Sequence, residues 1–85
     1  MRRVHFHARD SKTENTDWHS LPFYEVEKKL ERFNRVLEKG YRSRFRIVGD
    51  IYGWDVVLDD GGRVALIETV EDAERILREE FGLQP

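Results

Sequence analysis

Arg42, Arg44 and Arg46 recur at every second position of Tyr41-Arg42-Ser43-Arg44-Phe45-Arg46-Ile47-Val48. In an extended strand, alternate residues share one face at intervals of about 6.6–7 Å. That interval is close to the step between phosphates along a nucleic-acid strand, and the guanidinium fork suits phosphate better than any other side chain. A row of this kind could hold a polyanion. Downstream, Tyr52-Gly53-Trp54-Asp55-Val56-Val57-Leu58-Asp59-Asp60-Gly61-Gly62-Arg63 alternates apolar and acidic residues. A short turn between the two stretches would set Asp55 and Asp59 opposite or diagonal to the arginines on the same face. Neutralisation across the strands is the favoured reading, because a polyanion track rarely interleaves its own acids. Paired arginines and acids remain suited to recognising a protein.

His5 and His7 form an H-x-H pair, with Asp17 and His19 further along. Imidazoles two residues apart on a strand can converge on zinc, and a third ligand would complete an open hydrolytic site. A metal-dependent hydrolase on His5, His7 and His19 is therefore an alternative. No H-E-x-x-H supports it, and an exposed strand accounts for the pair without a metal. Asp50, Asp55, Asp59 and Asp60 could attract magnesium, yet the Asp60-Gly61-Gly62 run is explained by a hairpin turn. Ser11, Ser20 and Ser43 lack a nucleophile-elbow setting, and no phosphate-cradling G-x-x-x-x-G-K occurs. With no cysteine in the chain, thiol nucleophiles, thiolate zinc sites and disulfides are excluded. The expectation is a non-enzyme with no cofactor and no bound metal.

The positioning elements follow from hydrophobic period. Arg2–Arg9 reads as a strand, with Val4, Phe6 and Ala8 on one side and Arg3, His5, His7 and Arg9 on the other. Residues 10–19 are polar and read as a surface loop whose end Trp18 anchors. From Pro22, the apolar residues Phe23, Val26, Leu30, Phe33 and Leu37 fall at helical steps of three and four, closed by Gly40. Tyr41–Val48 is the next strand. After the Gly49–Gly53 loop, a strand turns Trp54, Val56 and Leu58 inward and Asp55 and Asp59 outward. Asp60-Gly61-Gly62 then makes a hairpin into Val64–Glu68. Thr69 caps a second helix from Val70, whose acids Glu71, Asp72 and Glu74 sit where the helix dipole favours them, and Gly82-Leu83 ends it.

At 85 residues, 39% hydrophobic and 38% charged, the chain supports one domain, 1–85, with a small core and an ionic surface. The net charge of −2 is uneven, and residues 64–85 carry −4 of it. An acidic pI near 5.9 argues against bulk affinity for nucleic acid or anionic membranes. No apolar run approaches the roughly 20 residues that span a bilayer, so the expectation is a cytoplasmic, soluble domain with no membrane partner. The fold class expected is α+β: a single-layer, mainly antiparallel sheet with two helices on one face, in the order β-α-β-β-β-α.

The pattern G-W-x-x-V-x-x-D-G-G-R followed by T-x-E-D-A-E-R, Gly53 to Arg75, resembles the three-strand-plus-helix arm-type DNA-binding domains of phage integrases. The order α-β-β-β-α from Pro22 to Phe81 is similar to that of double-stranded-RNA-binding domains. Both resemblances imply a fold and carry over no functional residue. Glu71-Asp72-Ala73-Glu74 stands where the RNA-binding family has a basic helix start, and it would repel phosphate.

The reading is a small interaction or regulatory module that binds another protein through its open sheet face and loops. Its candidate binding residues are Arg42, Arg44, Arg46, Tyr52, Arg3, His5, His7 and Arg9. Self-association into a homodimer is a variant, and a nucleic-acid-binding domain using the arginine stripe is the main alternative.

Overall fold

A computed structural model describes residues 16–85. The expected N-terminal strand Arg2–Arg9 lies outside the described residues. Within them the order is a 3₁₀ turn at Trp18–Ser20, helix α1 at Phe23–Leu37, strands β1 at Ser43–Asp50, β2 at Gly53–Asp60 and β3 at Arg63–Ile67, and helix α2 at Val70–Glu80. The strands form one antiparallel sheet in the order β1-β2-β3.

The two periodicities of the sequence meet in one core. Val26, Leu30, Phe33 and Leu37 of α1 and Val70, Ala73 and Leu77 of α2 join Phe45, Val56, Leu58 and Ile67 in a single buried cluster. Those four strand residues share one face of the pleat, since Phe45 pairs with Leu58 and Val56 with Ile67. Both helices therefore cover that face, and the other is the open face. Trp18 is the anchor at the end of the polar segment and is fully buried in the same cluster. The loop expected over 10–19 is ordered at its end: Asp17 caps the 3₁₀ turn by accepting from the His19 N–H at 2.8 Å.

Helix boundaries follow local chemistry. Pro22 precedes the first turn of α1. The Thr69 hydroxyl caps α2 by accepting from the Asp72 N–H at 3.1 Å. The stop of α2 is the six-residue closure in which Leu83 N–H donates to the Leu77 carbonyl at 2.8 Å, with Gly82 at φ 67°. The β2–β3 turn uses Gly61 and Gly62 at φ 66° and 115°.

Two details differ from the sequence reading. β1 begins at Ser43, so Tyr41 and Arg42 precede the strand; the Tyr41 ring packs edge-on to Phe81 and its hydroxyl donates to the Phe81 carbonyl at 3.2 Å. Val57 belongs by alternation to the open face, yet it is only 5% exposed, because it sits mid-sheet between Arg46 and Leu66. On α2, Arg75 pairs with Asp72 at 3.0 Å, and the Glu71 carboxylate accepts from the Thr16 N–H at 2.6 Å.

Candidate functional site

The strand register arranges the open face in three cross-strand rows. Arg44 stands opposite Asp59, which stands opposite Val64. Arg46 stands opposite Val57 and Leu66 in turn, and Val48 stands opposite Asp55. The face is thus acidic and basic at its margins around a buried valine.

Its charges are largely committed. Arg46 Nε donates to Asp59 Oδ2 at 3.2 Å, across the diagonal. Arg44 turns away from the ladder to Glu38 at the end of α1, with Nη2 3.5 Å from Oε2. Arg42 lies against the β2–β3 turn, where a Cβ added to Gly61 would come within 3.4 Å of its Nη2. The three arginines of the sequence are therefore spread between a strand partner, a helix end and a turn. Arg44 and Arg46 border a cleft of about 390 Å³ between α1 and β1, where Glu27, Glu31 and Glu38 also contribute.

Asp55 has a different neighbour, His19, whose Nε2 lies 3.9 Å from its Oδ1. The His19 ring is held from both nitrogens: Nδ1 lies 3.1 Å from Asp17 Oδ1 and Nε2 lies 2.8 Å from the Trp54 carbonyl oxygen. Both partners are acceptors, so the doubly protonated ring fits best. The Trp54 carbonyl first, and then the Asp17 carboxylate, raise the His19 pKa above 6.5. The His19 backbone N–H, and then its ring, lower that of Asp17 below 3.8. Of the three histidines of the alternative zinc reading, His5 and His7 lie outside the described residues, as do Arg3 and Arg9. Among the described residues no three histidine or carboxylate side chains gather as a metal site.

Tyr52, picked out as a loop contact, is 91% exposed at the tip of the β1–β2 hairpin, and Ile51 beside it is 64% exposed. The tip is shaped by local bonds. Asp50 Oδ1 accepts from the N–H groups of Tyr52 at 3.0 Å and Gly53 at 3.2 Å, which fixes an Asx turn. Gly49 has φ 105°, and a Cβ there would lie 2.1 Å from the Gly53 carbonyl oxygen, so the hairpin closes only on glycine. Ile51 escaped the sequence reading because an isoleucine between two glycine-bounded strands is ordinarily assigned to the core. Its position directly after Asp50, the turn-forming residue, was the available signal.

Val64 and Leu66 of β3 are each 56% exposed on the open face. Asn34 was also missed: from α1, its Nδ2 donates to the Phe45 carbonyl at 2.9 Å and its Oδ1 accepts from the Phe45 N–H at 2.7 Å. A lone asparagine in an amphipathic helix gives no sequence signal for such a contact. Compared with protein-family models, curated proteins and solved structures, the chain matches none.

Proposed function

We propose that the chain is a small non-enzymatic interaction module that binds a protein partner through its open sheet face and the β1–β2 tip. The observation that carries this reading is the tip itself. Ile51 and Tyr52 project an apolar pair into solvent from a turn fixed by Asp50 and Gly49, which limits the ordering entropy lost on binding. Tyrosine in such a setting is a common interface anchor. The paired charges farther along the sheet, Arg46 with Asp59 and Arg44 with Glu38, suit a polar surround more than a polyanion track. The reading takes the N-terminal residues Arg2–Arg9 as a fourth strand, which gives the order β-α-β-β-β-α.

Affinity capture with the full chain and with Ile51→Ser/Tyr52→Ser tests the proposal. The expected result is a partner retained by the native chain and lost by the variant at unchanged melting temperature. A partner held equally by both, or none captured, overturns it. The alternative, nucleic-acid binding by the arginines, requires affinity for mixed-sequence DNA or RNA that falls steeply with salt and disappears in Arg42→Ala/Arg44→Ala/Arg46→Ala.

A further inference from the structure

The two edges of the sheet are not equivalent. Each strand residue directs its N–H and C=O to one side, and neighbours alternate. Phe45 gives both groups to Asn34, so they point away from β2, and the outer edge of β1 is capped there by α1. The same alternation, carried through the pairs Phe45 with Leu58 and Leu58 with Ala65, turns the backbone of Ala65 and Ile67 toward β2. Val64 and Leu66 therefore direct their N–H and C=O groups outward. Among the described residues no side chain caps this edge as Asn34 caps the other. An open edge with exposed valine and leucine is a strand-accepting template that natural proteins ordinarily cover.

The chain's own start is placed to cover it. Thr16 accepts from the Val70 N–H at 2.9 Å, and Asp17 bridges Thr69, so the described chain begins beside the C-terminal end of β3. Residues 10–15 reach about 20 Å when extended, enough to return a segment ending at Arg9 to that edge. The segment Arg2-Arg3-Val4-His5-Phe6-His7-Ala8-Arg9 alternates basic or imidazole residues with apolar ones. Carboxylates border both ends of β3, Asp17, Asp55 and Glu68 with His19 at one and Asp60 and Glu80 with Arg63 at the other, which suits a segment carrying Arg2, Arg3 and Arg9. Beneath β3, a groove of about 350 Å³ is lined by Leu58 and Ala65 on the helix-covered side.

We propose that the outer edge of β3 accepts Arg2–Arg9 as a fourth strand, parallel to β3, with Phe6 beside Ala65 over that groove. In a parallel ladder the residue beside Ala65 donates its N–H to the Val64 carbonyl and accepts from the Leu66 N–H. Val4, Phe6 and Ala8 then extend the core, and Arg3, His5, His7 and Arg9 extend the open face at the side away from the β1 arginines. This edge assignment stands apart from whether Tyr52 binds a partner.

Amide hydrogen exchange in the full chain, read by NMR, tests it. The Leu66 amide is expected to be protected in the native chain. In Phe6→Pro, which removes the donor and the ring at once, its protection should fall by about tenfold or more while Ala65 and Ile67, bonded to β2, stay protected and show that the fold persists. Should Phe6→Pro unfold the chain, Phe6→Ala, which keeps the strand and loses the groove contact, should give a smaller loss at Leu66 alone. Free exchange of Leu66 in the native chain overturns the proposal. So does protection unchanged by either substitution, or protection that appears only as protein concentration rises, which would mark a second copy as the occupant.

Discussion

The Nε2 of His19 lies 2.8 Å from the Trp54 carbonyl oxygen, and its ring centroid is 4.5 Å from that of the Trp54 indole. This contact joins the segment before α1 to the start of β2. Because Asp17 occupies the other ring nitrogen, the contact is strongest when the imidazole is charged.

Stability should accordingly depend on pH through this group. The His19 pKa is raised above 6.5 in the folded chain, so its contribution is complete below pH 6.5 and fades as pH rises through the raised value. That of Asp17 is lowered below 3.8, so its contribution is complete above pH 3.8 and is lost as pH falls through the lowered value. Both are present between pH 3.8 and 6.5. Solvent exposure keeps the amplitude small. NMR titration of the His19 ring should show a midpoint above 6.5, and His19→Gln should flatten the decline in melting temperature on the alkaline side. A midpoint at or below 6.5 would contradict the contact.

Asn34→Leu should destabilise the fold by about 2 kcal/mol, since it leaves the Phe45 N–H and C=O without their partners in a partly buried place. Urea denaturation measures this. A loss no larger than that of an exposed substitution on α1, such as Lys28→Leu, would show that water replaces the amide fully.

Gly49→Ala should cost about 2 kcal/mol or more, because the added Cβ meets the Gly53 backbone and the residue has φ 105°. Gly53→Ala, where the Cβ meets nothing within 4 Å, provides the control in the same thermal-denaturation series.

Much of the framework was legible in the sequence because local chemistry and tertiary packing agree there. The apolar steps from Phe23 to Leu37, the Thr69 cap, the Gly82-Leu83 stop and the Asp60-Gly61-Gly62 turn each act over a few residues, and the structure keeps all of them. Contacts between distant segments were not legible. Asn34 looks like any polar helix residue until β1 is beside it, and Arg44, opposite Asp59 as expected, sends its guanidinium to Glu38 at the end of α1, 3.5 Å away. Val57 shows the limit of a period of two: alternation gives the face a side chain is on, whereas burial depends on both flanking strands.

Trp18 offers a graded test of the core. Trp18→Ala should cost about 3–5 kcal/mol as a large buried side chain is removed. Trp18→Phe should cost distinctly less, because the buried indole Nε1–H has no hydrogen-bond partner among the described residues and phenylalanine deletes that unpaired donor. Equal losses in chemical denaturation would mean that the indole nitrogen is in fact hydrated.

The amide of Asn34 also limits how this sheet can be extended. Endless fibrils grow when every subunit offers two receptive borders, one to give and one to receive. At Phe45 the outward N–H and C=O of β1 are already taken by Asn34, so the sheet lacks at that point the second receptive border that open-ended growth requires.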